Sequence, residues 1–487
     1  MSLRMTMSPT LEEQELPWGI ERRAGRRDEW QLVIAWSLDE PWRVGQSAIV
    51  REASVLGRGG PQSDDKLPRV VFHSRRPGAA EPGPALAAAR VSRTQLKLVP
   101  TAEGKLEVTS IGKCTFFVDG VVTERAIVEP GSVLMLKNAL VLCVVHEPPP
   151  EPLTAHPAPA FAFGTPDASG IVGESRAAWR LRDELAMAAS GPHHVLVLGE
   201  SGAGKELAAR SIHALSARAS RGFVARNAAT FPEGLVDAEL FGNAKNYPHA
   251  GSPERAGVVG EAEGGTLFLD EIGELPHALQ GHLLRLLDRD GEYQRLGESR
   301  SRRADMRLVA ATNRTLDALK HDLAARFSSR VTIPPLGERR ADLPLLVRHI
   351  LRRFAAENPA LVARLFDERD DGPPEARIEP ELVDALLRHS FTHHLRELER
   401  LLLLAVTTTR KPFVALTPEV VAELRLASSE SEGEPDADAV RAAIEASQGN
   451  ISQAARRLGL KNRYLLYRLM KKHGIAATGD DDEGPAT

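Results

Sequence analysis

The sequence predicts a multidomain chain with an N-terminal all-β sandwich, a central α/β domain under an α-helical lid, and a C-terminal all-α helix-turn-helix. Three observations point to this layout. Residues 16–148 carry short apolar runs separated by glycine and polar turns, with no long helical stretch. Residues 169–335 alternate strand and helix patterns around a glycine loop, the mark of a parallel sheet covered on both faces, and residues 336–427 repeat apolar side chains at three- and four-residue spacing. Residues 439–476 are compact, helical and basic.

A chain of 487 residues has room for about three domains. Its 42% hydrophobic and 26% charged content is ordinary for globular protein, and a net charge of −4 confines any nucleic-acid surface to a local patch. Only Cys114 and Cys143 occur, with no C-x-x-C spacing, which argues against a disulfide framework or zinc site and fits a reducing compartment. Residues 1–20 are polar and acidic rather than a signal peptide, and no apolar run approaches a membrane span. The expectation is a cytoplasmic protein with no membrane partner.

In chain order, residues 1–15 read as a disordered tail. Strand patterns follow at 31–36, 69–72, 95–99, 105–110, 114–118, 132–136 and 139–145. Three places resemble a forkhead-associated domain, the phosphothreonine-reading sandwich: Leu56-Gly57-Arg58, Val91-Ser92-Arg93, and Val118-Asp119-Gly120 followed by Glu129-Pro130-Gly131-Ser132-Val133. The resemblance implies that Arg58, Ser92 and Arg93 supply phosphate donors to a phosphothreonine-containing partner, and an arginine fork with a hydroxyl suits a phosphate dianion. Gln95 stands where that family has histidine, and Lys113-Cys114-Thr115 replaces its asparagine-glycine. A sandwich used only for packing is the alternative. Residues 149–168, rich in proline and alanine, read as a semi-rigid linker.

The chemistry centres on residues 194–210. The apolar run Val195-Leu196-Val197-Leu198 reads as a buried strand; it breaks at Gly199-Glu200-Ser201-Gly202-Ala203-Gly204, and a helix starts at Lys205. Glycines let successive main-chain N–H groups curl toward phosphate oxygens, the helix adds its positive end, and Lys205 reaches the β- and γ-phosphates. Glu206 follows, where the general motif has a hydroxyl for Mg²⁺. Downstream, the strand pattern Thr266-Leu267-Phe268-Leu269 ends in Asp270-Glu271, at the sheet edge where open α/β sheets bind ligands. Asp270 can hold Mg²⁺ and Glu271 can polarise an attacking water.

Residues 171–426 resemble the AAA+ P-loop domain of the sigma-54-dependent transcription activators. The shared text is Gly199 to Glu206, Glu239-Leu240-Phe241-Gly242, and Gly265 to Leu275, and the family also carries glutamate after the loop lysine. The resemblance implies ATP and Mg²⁺ as cofactors and nucleotide contacts from Ile171, Val172, Gly199, Glu200, Ser201, Gly202, Ala203, Gly204, Lys205 and Glu206. By position it makes Glu271 catalytic, Asn227 its restraint, Asn313 the end of the first sensor strand, Arg326 an arginine finger lent to a neighbouring subunit, and Arg396 the second sensor. Asp270 and Glu271 would serve the metal. A second family arginine is Lys320 here, which lacks the planar fork. A site shared between subunits implies a homo-oligomeric ring, commonly a hexamer. The family's sigma-54-contacting loop, with its glycine-alanine-phenylalanine-threonine tip, is replaced by Asn243-Ala244-Lys245-Asn246-Tyr247-Pro248-His249-Ala250-Gly251.

Residues 428–438 read as an acidic linker and 477–487 as an acidic tail. Between them, residues 449–473 follow a helix, glycine turn, basic helix plan and resemble the Fis-type DNA-binding domain. Arg456, Arg457, Arg468 and Lys471 suit phosphates, and Lys461, Asn462, Arg463, Tyr464 and Tyr467 suit base edges or their surroundings. Two functions follow. One is an ATP-hydrolysing regulator that acts on sigma-54 RNA polymerase from a DNA-bound site; the other is a DNA-binding regulator or repressor whose ATP site controls oligomerisation alone.

Overall fold

The computed structural model describes residues 28–61, 66–149, 151–156, 160–232, 234–288, 291–314, 319–369, 372–432 and 437–447, with the single positions Ile451, Ala454, Arg457, Leu458, Leu466 and Met470. The expected tail at 1–15 lies outside them, as does the one at 477–487.

The N-terminal strands are β1 (Glu29–Ser37), β2 (Ser47–Val50), β3 (Ser54–Leu56), β4 (His73–Arg76), β5 (Ala79–Pro82), β6 (Leu96–Pro100), β7 (Leu106–Ser110), β8 (Phe116–Val118), β9 (Val121–Val122), β10 (Arg125–Val128), β11 (Val133–Leu136) and β12 (Leu140–Glu147). They form two sheets, ordered β5-β4-β2-β1-β12-β11-β8-β9 and β10-β7-β6-β3. Strand β4 starts at His73 rather than within 69–72, because Arg69 bridges to Val55 and Val70 N–H donates to the Val55 carbonyl.

Side-chain alternation gives β1 two buried faces. Trp30, Leu32 and Ile34 point inward to meet Leu96, Leu98 and Val108 of the other sheet. Val33, Ala35 and Trp36 point outward, and a bulge between Ile34 and Trp36 keeps the last two on one side. That outer face, with Val133, Met135, Val141 and Cys143, shares one apolar core with Leu345, Val347 and Leu386 of the lid. Trp36 Nε1–H donates to the Ile378 carbonyl at 2.9 Å. Burial stabilises by roughly 1.5–3 kcal/mol for each large apolar side chain, so the sandwich is bolted to the lid.

The linker is docked rather than a spacer. The Asp183 carboxylate accepts from the N–H groups of Thr154, Ala155 and His156 at 2.7–3.0 Å, and Phe161 stacks on Trp179. The central domain then runs α1 (Arg176–Ser190), β13 (Val195–Leu198), α2 (Lys205–Ala214), β14 (Phe223–Asn227), α3 (Val236–Phe241), α4 (Gly257–Glu261), β15 (Thr266–Asp270), α5 (His277–Leu287), β16 (Glu292–Tyr293), β17 (Arg302–Arg303), β18 (Arg307–Thr312), α6 (His321–Arg326) and β19 (Ser329–Thr332). Strands β14-β15-β18-β13-β19 lie side by side, all parallel, so the expected sheet forms and its C-terminal ends share one rim.

The lid comprises α7 (Leu343–Glu357), α8 (Pro359–Leu365), the hairpin β20 (Phe366–Arg369) and β21 (Gly372–Ala376), α9 (Pro380–Arg388), α10 (His394–Thr408) and α11 (Pro418–Glu432). Helix α11 continues into the stretch read as an acidic linker, since extending a formed helix costs little. At the C-terminus α12 (Ala437–Ala446) packs Val440 and Ile444 with Ala454, Leu466 and Met470. No described helix is long and apolar enough to cross a membrane.

Candidate functional site

The rim carries a cleft of about 430 Å³ between sheet and lid. Its floor is the turn after β13. Gly204 takes a left-handed φ of +105° as the N-cap of α2 and offers no side-chain cap, which leaves the helix's first N–H groups free for a ligand. Gly202, at φ +84°, lies under the lid: a Cβ there would come within 2.5 Å of the His393 carbonyl oxygen. Lys205 is only 6% exposed. Its Nζ donates to the carbonyls of Gly199 (3.1 Å) and Glu200 (3.3 Å), and lies 3.8 Å from Glu271 Oε1.

Asp270 and Glu271 line the opposite side of the cleft. Asp270 Oδ1 accepts from the Glu271 N–H at 2.9 Å. Glu271 holds a left-handed φ of +53°, a strain of about 1–3 kcal/mol for a residue with a side chain and a feature that clusters at functional sites. From the lid, Arg396 Nη1 donates to Ser201 Oγ at 3.0 Å, and His394 Nε2 meets Glu200 Oε2 at 2.7 Å. Ile171, Val172, Ser201, Ala203 and Glu206 complete the predicted residues in the cleft wall.

Three predicted residues stand apart. Asn227 Oδ1 accepts from Ala229 N–H and caps a 3-10 turn; among the described residues no hydrogen bond joins it to Glu271. Asn313 follows β18 on the exposed side of the rim. Arg326, at the end of α6, is half exposed and ion-paired to Asp288. Lys320 is the N-cap of α6, its N–H donated to Gln280.

The cleft also holds residues that sequence reasoning missed: Arg339, Leu346, His349, Ile350, Arg353 and Glu399. Arg339 is buried and donates to the Ala203 carbonyl at 3.4 Å, while its Nε has no hydrogen-bond partner among the described residues. Burial, followed by the charges of Arg353 and Arg352, pulls the His349 imidazole below its ordinary value. Arg353 is ion-paired to Glu399.

On the sandwich, the predicted loops meet at one end. Arg58 N–H donates to the Ser92 carbonyl at 3.0 Å, and Lys113 N–H donates to Ser92 Oγ at 3.0 Å. Arg58, Arg93 and Lys113 are exposed there. Gln95, fully buried, is the tie between loops: its Oε1 accepts from Ser92 N–H and Cys114 N–H, and its Nε2 donates to the Cys114 carbonyl.

The replaced loop folds back on the body. Asn243 Nδ2 donates to the carbonyls of Ala244, Tyr247 and Pro253, Asn246 Oδ1 accepts from Gly251 N–H, and the Tyr247 ring covers Gly297. In the C-terminal module, Arg457 Nη1 donates to the Ala446 carbonyl at the end of α12. The other candidate DNA contacts, Arg456, Lys461, Asn462, Arg463, Tyr464, Tyr467, Arg468 and Lys471, lie outside the described residues.

Comparison with known proteins follows the same division. Residues 171–329 match the family model described as the Sigma-54 interaction domain, and residues 435–472 match the one described as Bacterial regulatory protein, Fis family. Transcriptional regulatory protein ZraR of Salmonella typhimurium is 36% identical over 323 residues, covering 62% of this chain and 68% of that protein. The Nif-specific regulatory protein of Azotobacter vinelandii is 36% identical over 317 residues, covering 61% of this chain and 58% of its own length. Among solved structures, NtrX from Brucella abortus in complex with ATP is 31% identical, covers 62% of this chain and 69% of its own, and superposes with a TM-score of 0.45. With a sigma-54 interaction domain ahead of a Fis-type module, and a relative matched over two thirds of its length, the chain belongs to the sigma-54-dependent family of bacterial transcription regulators.

Proposed function

We propose that the chain is an ATP-hydrolysing transcription regulator that converts nucleotide turnover in an oligomeric ring into control of transcription from a DNA-bound site. One observation carries the reading: buried Lys205, strained Glu271 and the lid's Arg396 converge on one glycine-lined cleft. The orphaned Nε of buried Arg339 and the free N–H groups of α2 are donors suited to phosphate oxygens. Mg²⁺ would be held by Asp270 together with the phosphates, and would neutralise charge on the β- and γ-oxygens. Glu271 orients and polarises the attacking water, Lys205 holds the phosphates in line, and Arg396 ties lid position to the loop. Arg326, at the exposed end of α6, serves the neighbouring subunit's site once it leaves Asp288. The Fis-type helices choose the DNA site, and the sandwich loops carrying Arg58, Ser92 and Arg93 take a phosphothreonine-containing partner.

Replacing Glu271 with Gln tests the chemistry. ATP affinity is expected to stay near that of the wild type while turnover falls by about 10²–10⁴-fold, the range for loss of a positioned general base. Persistent hydrolysis would remove Glu271 from the mechanism.

The folded-back loop at 243–251 favours a second reading. Asn243 turns its amide to the carbonyls of Ala244, Tyr247 and Pro253 and Tyr247 lies on Gly297, so the segment is a compact knob without the phenylalanine-threonine tip. In this reading the ATP site governs assembly on DNA and sigma-54 polymerase is not remodelled. An ATP-dependent promoter-melting assay with sigma-54 polymerase separates the two, since melting occurs only in the first.

A further inference from the structure

The strap from Gly170 to Val172 forms one wall of the cleft, and it is anchored from three directions. From α1, Arg182 donates to the carbonyls of Ile171 and Gly173, each at 2.8 Å, and to Asp167 Oδ2 at 2.8 Å. Asp167 Oδ1 in turn accepts from Ser169 N–H and Ile171 N–H. From the root of the lid, the Asp342 carboxylate accepts from Glu174 N–H, Ser175 N–H and the Ser175 hydroxyl at 2.6–2.8 Å. The approach is so close that a Cβ on Gly173, at φ +141°, would fall 2.6 Å from Asp342 Cγ.

The third anchor comes from the sandwich. Arg76, the last residue of β4, pairs with Glu174 through Nη2 to Oε1 at 2.7 Å and Nε to Oε2 at 3.2 Å, with both side chains largely buried. Its Nη1 donates to the Phe161 carbonyl, and its guanidinium stacks over Phe161 at 4.7 Å. Glu174 has no unused side: it also accepts from Gly164 N–H and Trp179 Nε1–H. Trp179 is gripped by Arg76 on one hand and Arg182 on the other, at 5.7 and 4.6 Å. Sandwich, linker, strap and α1 therefore form one charge-assisted network, and a buried pair of this kind holds geometry tightly.

We propose that Arg76 is a positioning residue for the nucleotide cleft: through Glu174 it fixes the strap, so that ATP affinity depends on how the β-sandwich is seated. The inference rests on the reading of the cleft as an ATP site. Because the same sandwich is bolted to the lid through Trp36, it is tied to an element on each side of the cleft, and a ligand that shifts it moves the strap against the lid.

The test is ATP titration of the full chain with Mg²⁺, alongside thermal unfolding and steady-state turnover. Arg76→Ala is expected to raise the ATP Kd and KM about tenfold, with kcat at saturation unchanged, within the usual span of coupling between sites. Arg76→Lys keeps the charge but loses the fork and the stacking, and falls between. Glu174→Gln shifts affinity in the same direction, and the double variant loses little more than either single one, because both changes break the same contact. A purely structural role would lower the melting temperature and leave Kd and KM alone. Folded wild type that binds no ATP overturns the ATP reading and this inference with it. Wild type that binds, Lys205→Ala that does not, and Arg76→Ala that binds as wild type overturn this inference alone. Should Arg76→Ala fail to fold, unchanged affinity in Arg76→Lys and Glu174→Gln overturns it equally.

Discussion

The turn at residues 199–205 and the sandwich loops around Arg58, Ser92, Arg93 and Lys113 are the two places we propose for phosphate, and they are built in opposite ways. In the cleft the cation is hidden: Lys205 is held against main-chain carbonyls under the lid, and its companions are N–H groups fixed by a strand and a helix. On the sandwich the cations stand in water, above the buried hinge Gln95. A dry, preorganised site works through electrostatics that solvent does not weaken, whereas an exposed arginine orders itself at each encounter and is screened by salt. The first design suits a ligand that must react in place. The second suits a ligand that comes and goes.

The largest effect that follows from this contrast belongs to Lys205→Ala. Removing a buried charge from its phosphate costs about 2–5 kcal/mol, so ATP affinity should fall by about 30-fold or more in a direct titration. Any phosphopeptide binding by the sandwich should be untouched. Unchanged ATP affinity would dismantle the phosphate-loop assignment and, with it, the contrast.

The readability of the two sites differs for physical reasons. The cleft floor was visible because local sequence dictates it: glycines supply the positive φ values, and an apolar strand ending in Asp270-Glu271 delivers both acids to the rim. His349 and Arg353 were not, because they arrive from α7, where the apolar period speaks only of packing, and Arg339 comes from the 3-10 turn before that helix, which carries no period at all. The pairing of Arg76 with Glu174 joins residues far apart in sequence and leaves no local pattern. Docking of the sandwich on the lid did leave one. Gln31-Leu32-Val33-Ile34-Ala35-Trp36 and Leu140-Val141-Leu142-Cys143-Val144 are apolar at almost every position, where a strand with one wet face would alternate, and continuous runs mark burial on both faces. Reading them simply as strands missed the second face. Gln95 looked like a departure from a pattern, yet it ties three main-chain groups of neighbouring loops. The short strands β2, β3, β5, β9 and β10 escaped notice because two to four residues carry too little alternation to register.

A smaller effect is expected on the sandwich. Arg58→Ala removes one charged donor, and solvent at this exposed site holds its worth to about 1.5 kcal/mol, so affinity for a degenerate phosphothreonine-peptide library should fall about tenfold while ATP affinity holds. The unphosphorylated library supplies the baseline. If wild type and variant bind both libraries alike, the loops are packing surface, and the sandwich's role reduces to its grip on the lid and strap.

The smallest effect is the one that compares the two designs directly. Raising NaCl from 50 to 500 mM shortens the Debye length from about 14 to about 4 Å, which mutes charges in solvent far more than charges under a lid. Phosphothreonine-peptide affinity, carried by Arg58, Arg93 and Lys113, should weaken about threefold to tenfold over that range. ATP carries more charge than the peptide's phosphate and would, at equal exposure, respond more steeply. Because Lys205 and Arg339 are buried and the loop's N–H groups are fixed dipoles, its affinity should instead change less. Measured on the same preparation, a steeper salt slope for ATP would mean that the cleft is open and solvated, with the lid contacts of Arg396 and His394 broken in solution.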